Sequence, residues 1–123
     1  MAKVVLVIED DPDQRRLMER VLSAAGYRVV VAVDGEAGLT TARALQPALI
    51  ILDIMMPRLN GYQACRRLRQ MPETAETPVL ILTVKQEPAD EYWAAEVGAN
   101  AFLSKPVEVP TLLTRVSEFA GKP

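Results

Sequence analysis

Ile50-Ile51-Leu52-Asp53-Ile54-Met55-Met56-Pro57-Arg58-Leu59-Asn60-Gly61 is the stretch whose reading decides the fold. A short, wholly apolar run delivers one acid, and the chain then turns away through proline and glycine. Ala48 to Leu52 reads as a strand buried on both faces, as in a parallel sheet. An aspartate directly at its end stands at the carboxyl edge of that sheet, where open α/β sheets keep their ligands. What else gathers around Asp53 decides the chemistry.

Composition bounds the answer. A chain of 123 residues is the size of one domain, and a hydrophobic share of 50% is enough for a real core. The expectation is a single domain over 1–123, with 121–123 a frayed end or the start of a linker. A net charge of -2 offers no basic field for direct nucleic-acid binding. No apolar run reaches the roughly 18 residues of a membrane span. The single Cys65 cannot form an internal disulfide, which suits a reducing, cytoplasmic setting. With no histidine at all, the chain has no His-based triad, His-rich metal site or phosphohistidine of its own.

Outward from Asp53, apolar runs and amphipathic stretches alternate. Val4 to Ile8 is a first buried strand, ending in Glu9-Asp10-Asp11. Asp11 suits a helix N-cap and Pro12 the first helical position. Leu17, Met18, Val21, Leu22 and Ala25 recur at helical spacing up to Gly26. Val29 to Val33 is a second strand. Asp34-Gly35 opens a helix carrying Ala37, Leu39, Ala42 and Leu45. After Asp53, Asn60 with Gln63 forms a capping-box variant that starts a helix with Cys65 and Leu68 inward. Val79 to Leu82 is a fourth strand ending in Thr83. A weaker helix from about Pro88 to Val97 follows. Ala101 to Leu103 is a short fifth strand before Ser104-Lys105-Pro106. The last helix carries Val109, Leu112, Leu113, Val116 and Phe119. Five such alternations with short connections predict a doubly wound α/β fold with a parallel sheet.

In such a sheet the residues that follow the strands meet on one edge. Strand one brings Glu9, Asp10 and Asp11, strand three Asp53, strand four Thr83, and strand five Lys105. Taken singly, an acid after a strand is usually a helix cap, a threonine a turn hydroxyl, and a lysine a solvated charge. Their coincidence is what points to a site. Carboxylates about 5 Å apart repel by roughly 3 kcal/mol per pair at an effective dielectric near 20. A cation must offset that, and an all-oxygen set expecting further oxygen ligands suits Mg²⁺, with Mn²⁺ also fitting. Asp53 could then act as a carboxylate nucleophile, with Thr83 and Lys105 around a phosphoryl group.

This pattern resembles the receiver domain of bacterial two-component response regulators over essentially the whole chain. The resemblance rests on Val5 to Pro12, on Leu52 to Pro57 with Gly61, on Leu82-Thr83, and on Leu103-Ser104-Lys105-Pro106. It implies a flavodoxin-like (βα)5 fold with strand order 2-1-3-4-5, the order the chemotaxis receiver exemplifies. It implies Asp53 as phosphoacceptor. Glu9, Asp10, Asp53 and the Met55 backbone carbonyl would be the metal ligands. Thr83 and Lys105 would bind the phosphoryl oxygens, with Thr83 and Phe102 as the switch pair and a cis Lys105–Pro106 bond. Asp11 stays a helix cap. The implied donor is a sensor histidine kinase or a histidine phosphotransfer protein. The surface that responds is the fourth helix, fifth strand and last helix, a face for a downstream partner or a second copy. Beyond its own phosphoryl transfer and dephosphorylation, no enzymatic activity is implied.

Several positions depart from the family pattern. Val84 stands where a small residue usually follows the threonine, and it is expected to slow small phosphodonors. Phe102 lacks the hydroxyl many relatives carry, and Val107 replaces a common aromatic. Trp93 falls where an exposed charged residue is frequent, either partly packed or part of the partner surface. Three rival readings are weaker. A haloacid-dehalogenase-type phosphohydrolase wants an acid two residues after its nucleophile, where this chain has Met55. An interaction module independent of phosphorylation would not need the full set of Glu9, Asp10, Asp53, Thr83 and Lys105. A flavodoxin would carry a Ser/Thr-rich phosphate loop after strand one.

Overall fold

The computed structural model describes residues 2–84 and 95–123. Five strands, β1 (Val4–Ile8), β2 (Arg28–Ala32), β3 (Leu49–Asp53), β4 (Val79–Thr83) and β5 (Ala101–Ser104), form one sheet in the order 2-1-3-4-5. Every pairing is parallel. Helices α1 (Pro12–Ala24), α2 (Gly35–Leu45) and α3 (Gly61–Gln70) and a C-terminal helix (Val109–Ala120) cover its two faces. The expected fold class is therefore the observed one.

The two faces follow from strand alternation. Leu6 and Ile8, Ile50 and Leu52, and Val79 and Ile81 point to one side, with Leu39, Ala42, Ala64, Cys65 and Leu68 of α2 and α3. Val5 and Val7, Leu49 and Ile51, and Leu80 and Leu82 point to the other, with Met18 and Leu22 of α1 and Leu112 and Val116 of the C-terminal helix. Of the three interior strands, β3 and β4 are buried along their whole length. That is why they read as continuous apolar runs rather than as alternating ones.

Local chemistry sets the boundaries. The Asp11 side chain accepts from the Asp13 amide and Pro12 opens α1. The Tyr27 amide reaches back to Leu22 O at 3.1 Å across Gly26, whose φ of +104° favours glycine. Asp34 accepts from the Ala37 amide at 2.8 Å, and Asn60 and Gln63 form the reciprocal capping box. Two apolar residues at helical spacing do not join the core. Leu17 and Val109 are 51% and 45% exposed, since each lies at the margin of its helix's apolar stripe. Residues 121–123 lie back against the first helix–strand turn, where the Tyr27 hydroxyl donates to Gly121 O at 2.7 Å.

Candidate functional site

The parallel order brings β1 and β3 side by side, with Ile8 opposite Leu52, so Glu9 and Asp53 emerge as neighbours. β4 lies on the other side of β3, and the Ile54 amide donates to Leu82 O at 3.1 Å, so Thr83 emerges next. β5 ends beside it, with Ser104 opposite Thr83 and the Lys105 amide on Thr83 O at 2.6 Å. The Lys105–Pro106 peptide is cis. Four strands thus end on one small area, as the alternation of the sequence implied.

The geometry there is compact. Carboxylate oxygens of Glu9, Asp10 and Asp53 lie within 4.8 Å of one another. Glu9, Asp53 and Thr83 are buried, while Asp10 opens toward solvent. Lys105 Nζ stands 3.2 Å from Asp53 Oδ1 and 3.5 Å from Glu9 Oε2. The contact to Asp53 is an ion pair without hydrogen-bond alignment, which leaves Asp53 Oδ1 buried with no aligned donor. Burial, a hydrogen bond to Asp53 and the Asp53 charge push the Glu9 carboxyl from 4.5 up to about 7, and Lys105 only partly opposes this. Two buried acids share a single ammonium, so negative charge is in excess in the pocket.

That pocket fits a hard divalent ion. An octahedral Mg²⁺ at about 2.1 Å from each ligand spans oxygens about 3–4 Å apart, close to the observed spread. The β3–α3 loop folds back close under Asp53. The Gly61 amide donates to Ile54 O at 3.1 Å, and a Cβ on Gly61 would come within 2.6 Å of Asp53 O. Glycine is therefore required for the loop to fold this close under Asp53. Met55 is 65% exposed, so its side chain takes no part in the core.

The remaining candidates are distributed as follows. Phe102 is half-buried on β5, opposite Ile81, and packs against the face that also holds Val97. Val84 is 56% exposed at the lip of an apolar groove of about 370 Å³ that also includes Leu17, Lys105, Pro106 and Val107. Trp93 and most of the weaker helix expected from Pro88 lie outside the described residues. Two site neighbours were passed over in the sequence. Ser104 Oγ is buried without a partner. Arg15 Nη1 donates to the carbonyls of both Glu9 and Asp10 at 2.9 Å. Only its place near a helix N-terminus, unusual for a cation, could have flagged Arg15. Cys65 is buried, and desolvation pushes its thiol up to about 11, which removes it from the chemistry. Among the described residues no helix is long and apolar enough to cross a membrane.

Comparison with known proteins agrees with this architecture. Residues 5–117 match the family model of the response regulator receiver domain. The chain is 43% identical over 112 residues to the DNA-binding dual master transcriptional regulator RpaA of Synechocystis, covering 91% of this chain and 46% of RpaA. It is thus similar to only about half of that relative's length. It is 36% identical over 113 residues to protein PilH of Pseudomonas aeruginosa, covering 92% of this chain and 93% of PilH. Among solved structures it resembles the receiver domain of the P. aeruginosa sensor histidine kinase PA1611, which has a magnesium ion coordinated in its active-site cleft. That match has a TM-score of 0.91 at 27% identity and covers 98% of this chain and 99% of that one. With the sheet order, the acidic edge and the family match in agreement, this chain belongs to the response regulator receiver domain family.

Proposed function

We propose that the chain is a phosphoacceptor switch of a two-component system, with Asp53 as the acceptor. The observation that carries this is Asp53 itself. It is a buried carboxylate with one oxygen free of aligned donors, 3.2 Å from a lysine ammonium and within a three-acid cluster. An Asp53 oxygen forms the new bond to phosphorus. The bond from phosphorus to the donor breaks, and the donor keeps the electron pair, as imidazole from a phosphohistidine or carboxylate from an acyl phosphate. The donor is a sensor histidine kinase or a histidine phosphotransfer protein, because this chain has no histidine. Lys105 pairs with a phosphoryl oxygen as the charge arrives, and the Thr83 hydroxyl takes another. Glu9, Asp10, Asp53 and the Met55 carbonyl would hold Mg²⁺, or Mn²⁺, which when bound offsets the charge of acids and phosphoryl group together. Hydrolysis returns the site to its start, with water forming a bond to phosphorus and Asp53 leaving as carboxylate. No further substrate is turned over. Met55 stands where a phosphohydrolase would need its acid, which supports a switch over an enzyme.

Movement of Thr83 toward the phosphoryl group vacates space into which Phe102 turns. The surface formed by the helix before β5, by β5 and by the C-terminal helix changes with it. That surface engages an output domain, a downstream protein or a second copy, in the cytoplasm, without direct contact to nucleic acid by this domain. The test is phosphorylation in Mg²⁺ by a small acyl phosphate, followed by intact mass and peptide mapping. One phosphoryl group on Asp53 is expected, with none on Asp53→Ala. Persistent labelling of Asp53→Ala would refute the acceptor assignment.

A further inference from the structure

Arg15 is the fourth residue of α1, close to the helix end that favours acids, and the same first turn holds Asp13. A cation there opposes the helix dipole, so its place needs another cause. Helical side chains lean toward the N-terminus, which carries the guanidinium back over the β1–α1 junction. There a single nitrogen, Nη1, donates to Glu9 O and to Asp10 O, both at 2.9 Å. These two consecutive carbonyls belong to the two residues of the junction whose carboxylates enter the acidic cluster. No ion pair among the described residues includes Arg15. Its charge is spent on backbone carbonyls, and neither the Glu9 nor the Asp10 carboxylate pairs with it.

We infer that Arg15 is a positioning residue that clamps the Glu9–Asp10 backbone so that both carboxylates face a divalent cation at Asp53. The inference rests on the metal site assigned above. It makes a prediction opposite in sign to plain electrostatics. If Arg15 mattered only as a nearby positive charge, removing it would tighten Mg²⁺ binding, by about sixfold for a divalent ion some 8 Å away in water-like dielectric. If it fixes the ligands, removing it weakens binding, by about tenfold as for other groups that orient metal ligands.

The experiment is a Mg²⁺ titration of the full chain, followed by amide chemical shifts, for wild type, Arg15→Met and Arg15→Lys. Arg15→Met keeps the length and apolar stem without the donor. Arg15→Lys keeps the charge but is too short to reach both carbonyls. Weaker Mg²⁺ binding by both variants, about tenfold for Met, is the expected result. Unchanged or tighter binding by Arg15→Met overturns the inference. Should Arg15→Met fail to fold, Arg15→Lys decides alone, with weaker binding in support and wild-type binding against. A thermal melt accompanies each titration, since a merely structural arginine would lower the melting temperature and leave the Mg²⁺ affinity of the folded protein unmoved. Because the readout is metal binding, it is separate from the acceptor assignment. Wild type that binds Mg²⁺ but takes no phosphoryl group would refute the phosphoacceptor reading and leave the clamp standing.

Discussion

The two edges of this sheet bury polar groups in opposite ways. At the amino edge, where β4 and β5 begin, the polar groups are saturated. Arg69 donates from Nε to Gly98 O, from Nη1 to the carbonyls of Thr74, Ala75 and Thr77, and from Nη2 to Asn100 Oδ1. The same Asn100 oxygen accepts from the Val79 amide at 2.8 Å, and the fully buried Thr74 hydroxyl donates to Leu68 O at 2.7 Å. At the carboxyl edge the Glu9 and Asp53 carboxylates share one lysine with Asp10 clustered beside them, and Asp53 Oδ1 and Ser104 Oγ lack aligned partners. A satisfied network stabilises and holds one conformation, whereas unsatisfied buried groups destabilise and await a ligand. One edge is built to stay and the other to react.

The sharpest way to break that contrast is Asp53→Asn. Phosphoryl labelling should vanish, and without Mg²⁺ the domain should become more stable by about 1–2 kcal/mol at pH 8, because one of the crowded like charges is gone. Denaturant unfolding would check it. A variant less stable than wild type would mean that the acidic edge is already balanced by Lys105. The opposite edge should respond in reverse. Arg69→Ala removes donors to five acceptors and should lower stability by about 3 kcal/mol. Phosphoryl uptake per folded molecule should stay within about twofold of wild type. A large loss of uptake in the folded fraction would show that the two edges are coupled.

The difference between the edges also explains what could be read from the sequence. The reactive edge was legible because strand ends are marked by abrupt changes from apolar to polar, as at Ile8-Glu9, Leu52-Asp53 and Leu103-Ser104-Lys105. Parallel topology then gathers those ends without further information. Caps at Asp11, Asp34 and Asn60 were legible because their partners lie two or three residues away. The saturated edge was not. Arg69 and Asn100 are 31 residues apart, and nothing in either local pattern announces the contact. A long flexible side chain such as Arg69 or Arg15 reads as a solvated helix face until its reach is known. Leu17 and Val109 fail for a related reason, since periodicity marks a stripe and not which margin of it lies beyond the neighbouring element.

Acidity distinguishes the edges over a defined pH window. Glu9 ionises near pH 7 in the folded chain against 4.5 for an ordinary glutamate. The folded state therefore holds a proton that the unfolded state has lost. Without Mg²⁺, stability from this group is full below pH 4.5, declines as pH rises, and is lost above about pH 7, a swing on the order of 3 kcal/mol. Mg²⁺ competes with that proton, so its affinity should rise by up to about tenfold per pH unit below pH 7 and level off above. Parallel unfolding and Mg²⁺ titrations between pH 5 and 8 would check both trends. Stability that is flat or rising over this window would mean that Glu9 is ionised beside Lys105 throughout.

Access is the smallest effect and tests whether the reactive edge is limited by anything besides charge. Val84 follows Thr83 and stands 56% exposed at the lip of the apolar groove beside Lys105. A branched side chain there is expected to narrow the approach for a small donor. It also presents apolar surface to anything large enough to lie across Leu17, Pro106 and Val107. Val84→Ala should therefore speed phosphorylation by a small acyl phosphate about threefold, a barrier change of about 0.7 kcal/mol. A protein donor should gain less, because it loses apolar contact as it gains room. Rates compared at saturating Mg²⁺ isolate the step. Equal rates with the small donor would show that the lip does not obstruct the site, and that charge alone sets the pace at Asp53.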